Sequence, residues 1–264
     1  MTMWSCEDGD GVAVLTYRNP PRNFLTFAAL EELDAELTRV ENTPGIGVVV
    51  LTSGVPGYFV AHADLDELAE LSRGPVPRAK IWYTAMRRIE RISQPVIAAI
   101  DGQAWGGGLE LSLACTLRWA SASAHFSLLE IALGIIPGAG GTQRLTRLIG
   151  PGRAADVVLS CDVLTADQAR TYGIVERVLP TPDFQAQTLR LARHLASRPA
   201  AALAAAKRAL VEGSRLPLAE GLRLEAALFA ERLAGPESAR LQEQARRSYA
   251  DAADGDHITF AGRS

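Results

Sequence analysis

The sequence predicts an α/β core with parallel strands, followed by a helical C-terminal part. Strand-like and helix-like patterns alternate through about residue 180. Two of the strand-like runs are apolar throughout, as in strands covered on both faces, and such alternation favours parallel pairing. Beyond about Pro180 the strand signal disappears, and alanine- and leucine-rich stretches follow.

The first strand expected is GVAVLTYR, Gly11 to Arg18, which stops at Asn19-Pro20-Pro21. FAALEELDAELTRVEN then places Phe27, Leu30, Leu33, Leu37 and Val40 three and four residues apart, the spacing of a helix with one buried face. IGVVVLTSG, Ile46 to Gly54, is a continuous apolar run bounded by glycines and reads as a covered strand. The stretch VPGYFVAHADLDEL, from Val55, is strand-like until Ala61-His62-Ala63-Asp64 and then turns polar and helical. A helix is expected over Val76 to Ile92, then a strand in PVIAAIDG, Pro95 to Gly102. A short helix from Gly107 to Cys115 and two short strands within LRWASASAHFSL complete the core. No internal repeat of fixed period is visible. The expected division is a core over residues 1–195 and a helical region over 196–264.

Composition narrows the function. An apolar fraction of 48% is ample for a buried core, and a net charge of −3 argues against a nucleic-acid surface. An anionic ligand must then be held by local donors. No apolar run has the length of a membrane span, and the acidic start MTMWSCEDGDG resembles no signal or transit peptide, which points to the cytoplasm. Cys6, Cys115 and Cys161 are few, scattered and odd in number, so they read as reduced packing residues.

Two stretches could carry chemistry. In DGQAWGGGLELSLAC, Asp101 to Cys115, three glycines precede a helix, where backbone N–H groups lack partners and no Cβ keeps a ligand away. Glu110 follows among Leu109, Leu111 and Leu113; an acid there is either a capping group or a carboxyl with a raised pKa. In HFSLLEIALGIIPGAGGTQRL, His125 to Leu145, Glu130 lies between Leu129 and Ile131. It could pair with Arg144 or Arg118, or form with Glu110 a two-carboxylate site for proton transfer. GAGGTQR lacks a P-loop lysine, and neither a G-x-S-x-G elbow nor a metal-binding His/Cys cluster is present. His125, His194 and His257 are isolated and read as packing or surface residues.

YFVAHADLDEL together with IDGQAWGGGLELSLACTLRWASASAHFSLLEIALGIIPGAGGTQRL resembles the enoyl-CoA hydratase/isomerase (crotonase) superfamily, from about Gly11 to Pro180. The resemblance implies a crotonase-like α/β spiral of ββα units with a C-terminal helical trimerisation region, as a homotrimer or a hexamer built from two trimers. It implies an acyl-CoA thioester substrate, with coenzyme A part of the substrate and no separate cofactor or metal. By motif position, the backbone N–H groups of Ala63 and Gly107 form the oxyanion hole, and Glu110 and Glu130 handle one water. The coenzyme is expected along Ala61, His62, Ala63, Asp64 and Leu65, with Gly106 beside it and Arg22 on a phosphate. Retention of both acids favours a hydratase over a Δ3,Δ2-isomerase or a non-catalytic acyl-CoA binder.

Four residues depart from the family pattern: His62 for a glycine, Leu129 for a proline, Thr116 for an aspartate, and Trp105 for a smaller residue. Trp105 beside the glycines is expected to reshape the acyl pocket. The closing segment, from Ala239 on, lacks the basic run of many relatives.

Overall fold

The structure is a computed structural model that describes residues 2–251. The chain begins with a hairpin, β1 (Trp4–Gly9) and β2 (Val12–Tyr17), paired antiparallel. Asp10 and Gly11 turn it with φ of 52° and 77°, the left-handed pair of a two-residue hairpin. α1 (Phe27–Glu41) is capped by Thr26, whose hydroxyl accepts from Ala29 N, and it buries the five apolar residues that its spacing singled out. β3 (Val48–Ser53), β4 (Tyr58–Val60), α2 (Leu65–Leu71) and α3 (Lys80–Arg91) follow. The helix expected from Val76 begins later, because Pro77 opens a separate 3-10 turn over Pro77–Ala79.

β5 (Val96–Ile100), β6 (Gln103–Trp105) and α4 (Gly107–Ala114) form the next unit. β7 (Leu117–Ser121) and β8 (His125–Ser127) lead through a 3-10 turn at Glu130–Leu133 to α5 (Gly141–Ile149) and α6 (Pro151–Ser160). β9 (Leu164–Thr165), α7 (Ala166–Tyr172) and β10 (Arg177–Leu179) close the strand-bearing part. α8 (Phe184–Ala196), α9 (Ala200–Gly213), α10 (Leu218–Leu233) and α11 (Pro236–Asp251) complete the described chain.

Among the described residues the strands form a six-stranded sheet, ordered β1-β2-β3-β5-β7-β10, and a four-stranded sheet, ordered β4-β6-β8-β9. Each of three successive units gives one strand to the large sheet, the next to the small sheet, and then a helical segment: β3-β4, β5-β6 and β7-β8. This is the ββα spiral, and pairing within it is parallel. Unequal helical segments separate the units, so the repeat has no fixed period in sequence. β1, β6, β9 and β10 are not anticipated: β1 is polar and half exposed, and the other three are only two or three residues long.

One face of the large sheet carries the main core with α1, α3 and α4; the other is covered by Phe184, Ala192 and Ala196 of α8. The expected boundary at 195/196 falls at the end of this helix, and the two-part division is retained as a proposal. Cys115 is buried, Cys6 and Cys161 half-buried, and all three are free thiols. His257 and the last residues of the closing segment lie outside the described residues. No described helix is long and apolar enough to cross a membrane.

α9 is tied to the core by Leu203, which packs on the face that α8 covers, and by a buried lysine. Lys207, 4% exposed, donates to the carbonyls of Ile89, Ile92 and Gln94 at 3.1, 2.6 and 2.9 Å, closing the C-terminal end of α3. Lys207→Met leaves those carbonyls without their donor, and a loss of about 2 to 4 kcal/mol is expected in urea unfolding. A loss below about 0.5 kcal/mol would contradict this role.

Candidate active site

Two chain segments bring bare backbone donors together. Beyond β4, residues Ala61 to Asp64 run extended beside Leu25 in a parallel bridge: Leu25 N donates to His62 O and Asp64 N to Leu25 O, both at 2.9 Å. In such a bridge the intervening residue turns its own N–H the other way. Ala63 N–H accordingly has no partner among the described residues. Asn23 anchors the segment. It is fully buried at φ 58°, its amide donates to Phe59 O at 2.9 Å and Ser53 Oγ at 2.8 Å, and its carbonyl accepts from Ala61 N at 3.3 Å.

The second segment is the glycine triplet. Gly106 caps α4 at φ 49°, ψ −122°, a conformation closed to residues with a Cβ, and donates to Ser127 O at 2.8 Å. Gly107 opens the helix, so its N–H is unpaired by construction. A Cβ on Gly107 would stand 2.9 Å from Trp82 Cη2 and 3.3 Å from Ala63 N, and one on Gly108 would stand 2.1 Å from Val60 O. α4 thus meets the β4 segment backbone to backbone, and the free N–H groups of Ala63 and Gly107 border one small space.

Two buried acids lie near these elements, Glu110 on α4 itself and Glu130 against Gly106. Glu110, 3% exposed, accepts at Oε1 from Ala139 N at 2.8 Å and Gly141 N at 2.7 Å. Burial raises its pKa; those two N–H groups and the Arg144 charge oppose the rise without cancelling it. Glu130, 8% exposed, lies in the 3-10 turn after β8, with Oε1 2.9 Å from where a Cβ on Gly106 would be. Its Oε2 is buried without a partner among the described residues. Burial first, then the charge of Glu110, pushes its pKa up to about 7. Arg118 pairs with Glu176 and Arg144 with Glu90, so neither arginine neutralises Glu130 and the ion-pair alternative fails.

His62 has a structural setting. Its Nδ1–H donates to Ala63 O at 2.6 Å and its ring packs on Phe24 at 4.6 Å, which braces the turn that aims Ala63 N–H. Asp64 spends its carboxylate on capping α2, accepting from Asp66 N and Glu67 N at 3.0 and 3.1 Å. Leu65 and Arg22 are exposed. Thr116 Oγ1 accepts from Val96 N at 3.1 Å and fastens the start of β5, while Leu129 caps the turn that carries Glu130. The tryptophan ring that meets Gly107 is Trp82 of α3; Trp105 is half-buried in β6 with its indole N–H lacking a partner among the described residues. Trp82 and Asn23 carry no local signature in the sequence, although an asparagine just after Pro20-Pro21-Arg22 suits a left-handed turn.

Known proteins similar to this chain share one family. The enoyl-CoA hydratase/isomerase family model matches residues 7–251. The chain is 40% identical to the 2,3-dehydroadipyl-CoA hydratase of Escherichia coli K12, over 83% of this chain and 85% of that protein. It is 34% identical to the short-chain-enoyl-CoA hydratase of Clostridium acetobutylicum, again over 83% and 85%. The crystal structure of an enoyl-CoA hydratase from Bacillus anthracis superposes with a TM-score of 0.87 at 36% identity, covering 94% of this chain and 96% of that one.

The Glu130 carboxyl should cost stability. Its pKa of about 7 in the fold lies above the ordinary 4.5, so the unfolded chain ionises first and stability falls as pH rises between those values. Glu130→Gln removes the penalty: it should stabilise the protein by about 2 to 3 kcal/mol above pH ~7 and leave it unchanged near pH ~4. Urea unfolding at the two pH values reads the difference, and equal effects at both would refute it.

Proposed function

The chain belongs to the enoyl-CoA hydratase/isomerase family, and from that premise we propose that it is an enoyl-CoA hydratase, a hydro-lyase. It adds water across the 2,3 double bond of a 2-enoyl-CoA to give the 3-hydroxyacyl-CoA, reversibly, in fatty-acid or related acyl-CoA metabolism. The observation that carries this reading is the pair of buried acids, Glu110 and Glu130, beside the unpartnered N–H groups of Ala63 and Gly107.

The thioester oxygen accepts from Ala63 N–H and Gly107 N–H. Attack of water at the β-carbon moves an electron pair onto that oxygen, and fixed donors in a dry site stabilise the enolate, each typically by about 2.7 to 4 kcal/mol. Gly107 opens α4, so the helix N-terminus adds in the same sense. Glu110, whose carboxylate accepts from two N–H groups, takes the proton from water. Glu130, whose raised pKa keeps a proton near neutrality, delivers it to the α-carbon as the enolate collapses. Dehydration runs through the same groups in reverse. An isomerase needs one shuttle and a non-catalytic binder needs none, so two acids held in apolar surroundings favour hydration.

Coenzyme A enters as part of the substrate. The backbone of Ala61 to Leu65, with Gly106, borders its path, and exposed Arg22 offers a forked donor to a phosphate. The acyl chain, anchored by its carbonyl, passes the Trp82 ring, so Trp82 takes the pocket-shaping part that its position gave to Trp105. Leu210, Leu218, Leu222 and Phe229, exposed on α9 and α10, suit a homotrimer or a hexamer of two trimers. The cytoplasm is the proposed location.

Crotonyl-CoA mixed with the protein should lose its conjugated-enoyl absorbance, and Glu110→Gln and Glu130→Gln should each slow that loss roughly 10²- to 10⁴-fold with coenzyme binding retained. No turnover by wild type on short, medium or long 2-enoyl-CoA would refute the reading; turnover of a 3-enoyl-CoA without hydration would favour the isomerase.

Hydration leaves the acid pair with as many protons as it had, because Glu110 gains the one that Glu130 gives up. One enzyme form, the singly protonated pair, therefore serves both directions. kcat/KM should fall as pH rises through about 7, where Glu130 loses its proton, and fall again in acid where both carboxyls are protonated. The limbs should coincide for hydration and dehydration. An alkaline limb that Glu130→Gln leaves in place would remove Glu130 from the assignment.

A further inference from the structure

Glu110 is held by a turn, and the turn has its own support. Oε1 of Glu110 takes the N–H groups of Ala139 and Gly141, on either side of Gly140. Arg144, one helical turn on, reaches back so that its Nη1 donates to Ala139 O at 2.6 Å. Its Nε donates to Glu90 Oε1 at 2.7 Å. Glu90 belongs to α3, its side chain is 8% exposed, and the same Oε1 accepts from Arg215 Nη2 at 2.8 Å. Gly140, at φ 104°, closes on the guanidinium so tightly that a Cβ would stand 2.1 Å from Arg144 Nη1.

We propose that Arg144, pinned by the buried carboxylate of Glu90, is the positioning residue for Glu110, and that Arg215 ties this support to the C-terminal helices. The inference rests on Glu110 being the group that takes the proton from water. Neither Arg144 nor Glu90 need touch substrate; each acts through the Ala139–Gly141 turn. A guanidinium suits the task because its fork serves two acceptors at a fixed angle, whereas an ammonium is a single point donor. The pair also breaks the symmetry of the acids. Arg144 contributes positive charge at Glu110, while Glu130 has burial and the charge of Glu110 acting on it. The proton of the singly protonated pair is thereby directed to Glu130.

The ordinary alternative is a buried ion pair that only holds α3 to α5. The two differ in what a folded variant does to rate and pH profile. Arg144→Gln should lower kcat for crotonyl-CoA hydration by about 10- to 100-fold with KM changed less than about 3-fold, and should move the acid limb of kcat/KM to higher pH. Arg144→Lys, which keeps the charge and loses the fork, should return the acid limb toward wild type while recovering kcat only in part. Glu90→Gln keeps the shape of the carboxylate, so it serves if Arg144→Gln fails to fold: kcat should fall by a smaller factor, and because a negative charge is lost the acid limb should move to lower pH. A folded Arg144→Gln or Glu90→Gln with wild-type kcat and limbs would overturn the inference. Wild type inactive on every enoyl-CoA would instead defeat the hydratase reading. The positioning link is then read without turnover: in Glu130→Gln, carbon NMR of the Glu110 carboxyl should give a titration midpoint that rises on adding Arg144→Gln, and an unmoved midpoint would overturn it.

Discussion

The contact on which the site depends is the backbone-to-backbone approach of α4 to the segment leaving β4. With Val60 O only 2.1 Å from where a Gly108 Cβ would be, and Ala63 N 3.3 Å from the corresponding point on Gly107, one added methyl at either position separates the two donors. Everything on either side serves that approach. The parallel pairing of β4 with β6 sets the height of the segment, Asn23 ties it to the chain before α1, and the Leu25 bridge turns Ala63 N–H away from the sheet. The proposed oxyanion hole is thus a property of tertiary packing, and the glycines are what permits the packing.

The acids show the opposite economy, in which function runs against stability. Glu110 is the more deeply buried, yet its carboxylate is met by two N–H groups and a nearby guanidinium. Glu130 is slightly less buried and has an oxygen with no partner among the described residues. Exposure alone would rank Glu110 as the more perturbed; the donors around it oppose that rise. A fold selected for stability alone would have given Glu130 a cation, but Arg118 and Arg144 are committed to Glu176 and Glu90.

Much of this was legible in the sequence where the cause is local. The buried face of α1, the covered strands β3 and β5, the glycine-opened α4 and both acids stand at spacings that a helix or strand imposes on its own residues. β1 was overlooked although Asp10-Gly11 is a strong hairpin turn, because its residues are polar and half exposed. β6 and β9 are too short to show a period. Trp82, Asn23 and the Glu90–Arg144 pair were beyond sequence reasoning for another reason. Their partners lie tens of residues away, and only the folded chain says that α3 faces the glycine triplet and that Glu90 faces α5. The bond that gives His62 its structural setting, to the carbonyl of its neighbour Ala63, is a matter of geometry.

α3 emerges as the element that joins the site to the rest of the molecule. Its Trp82 borders the donors, its Glu90 supports the turn that holds Glu110, and its last carbonyls are closed by Lys207 of α9. Arg215, just beyond α9, reaches the same Glu90. Two cations from the helical C-terminal part therefore bear on one end of one helix, one through backbone carbonyls and one through a buried carboxylate. A displacement of α9 would be felt first at the end of α3, and from there at both the wall beside the donors and the turn that holds Glu110. The helical part is coupled to the chemistry through these bonds without contributing a residue to the acid pair itself.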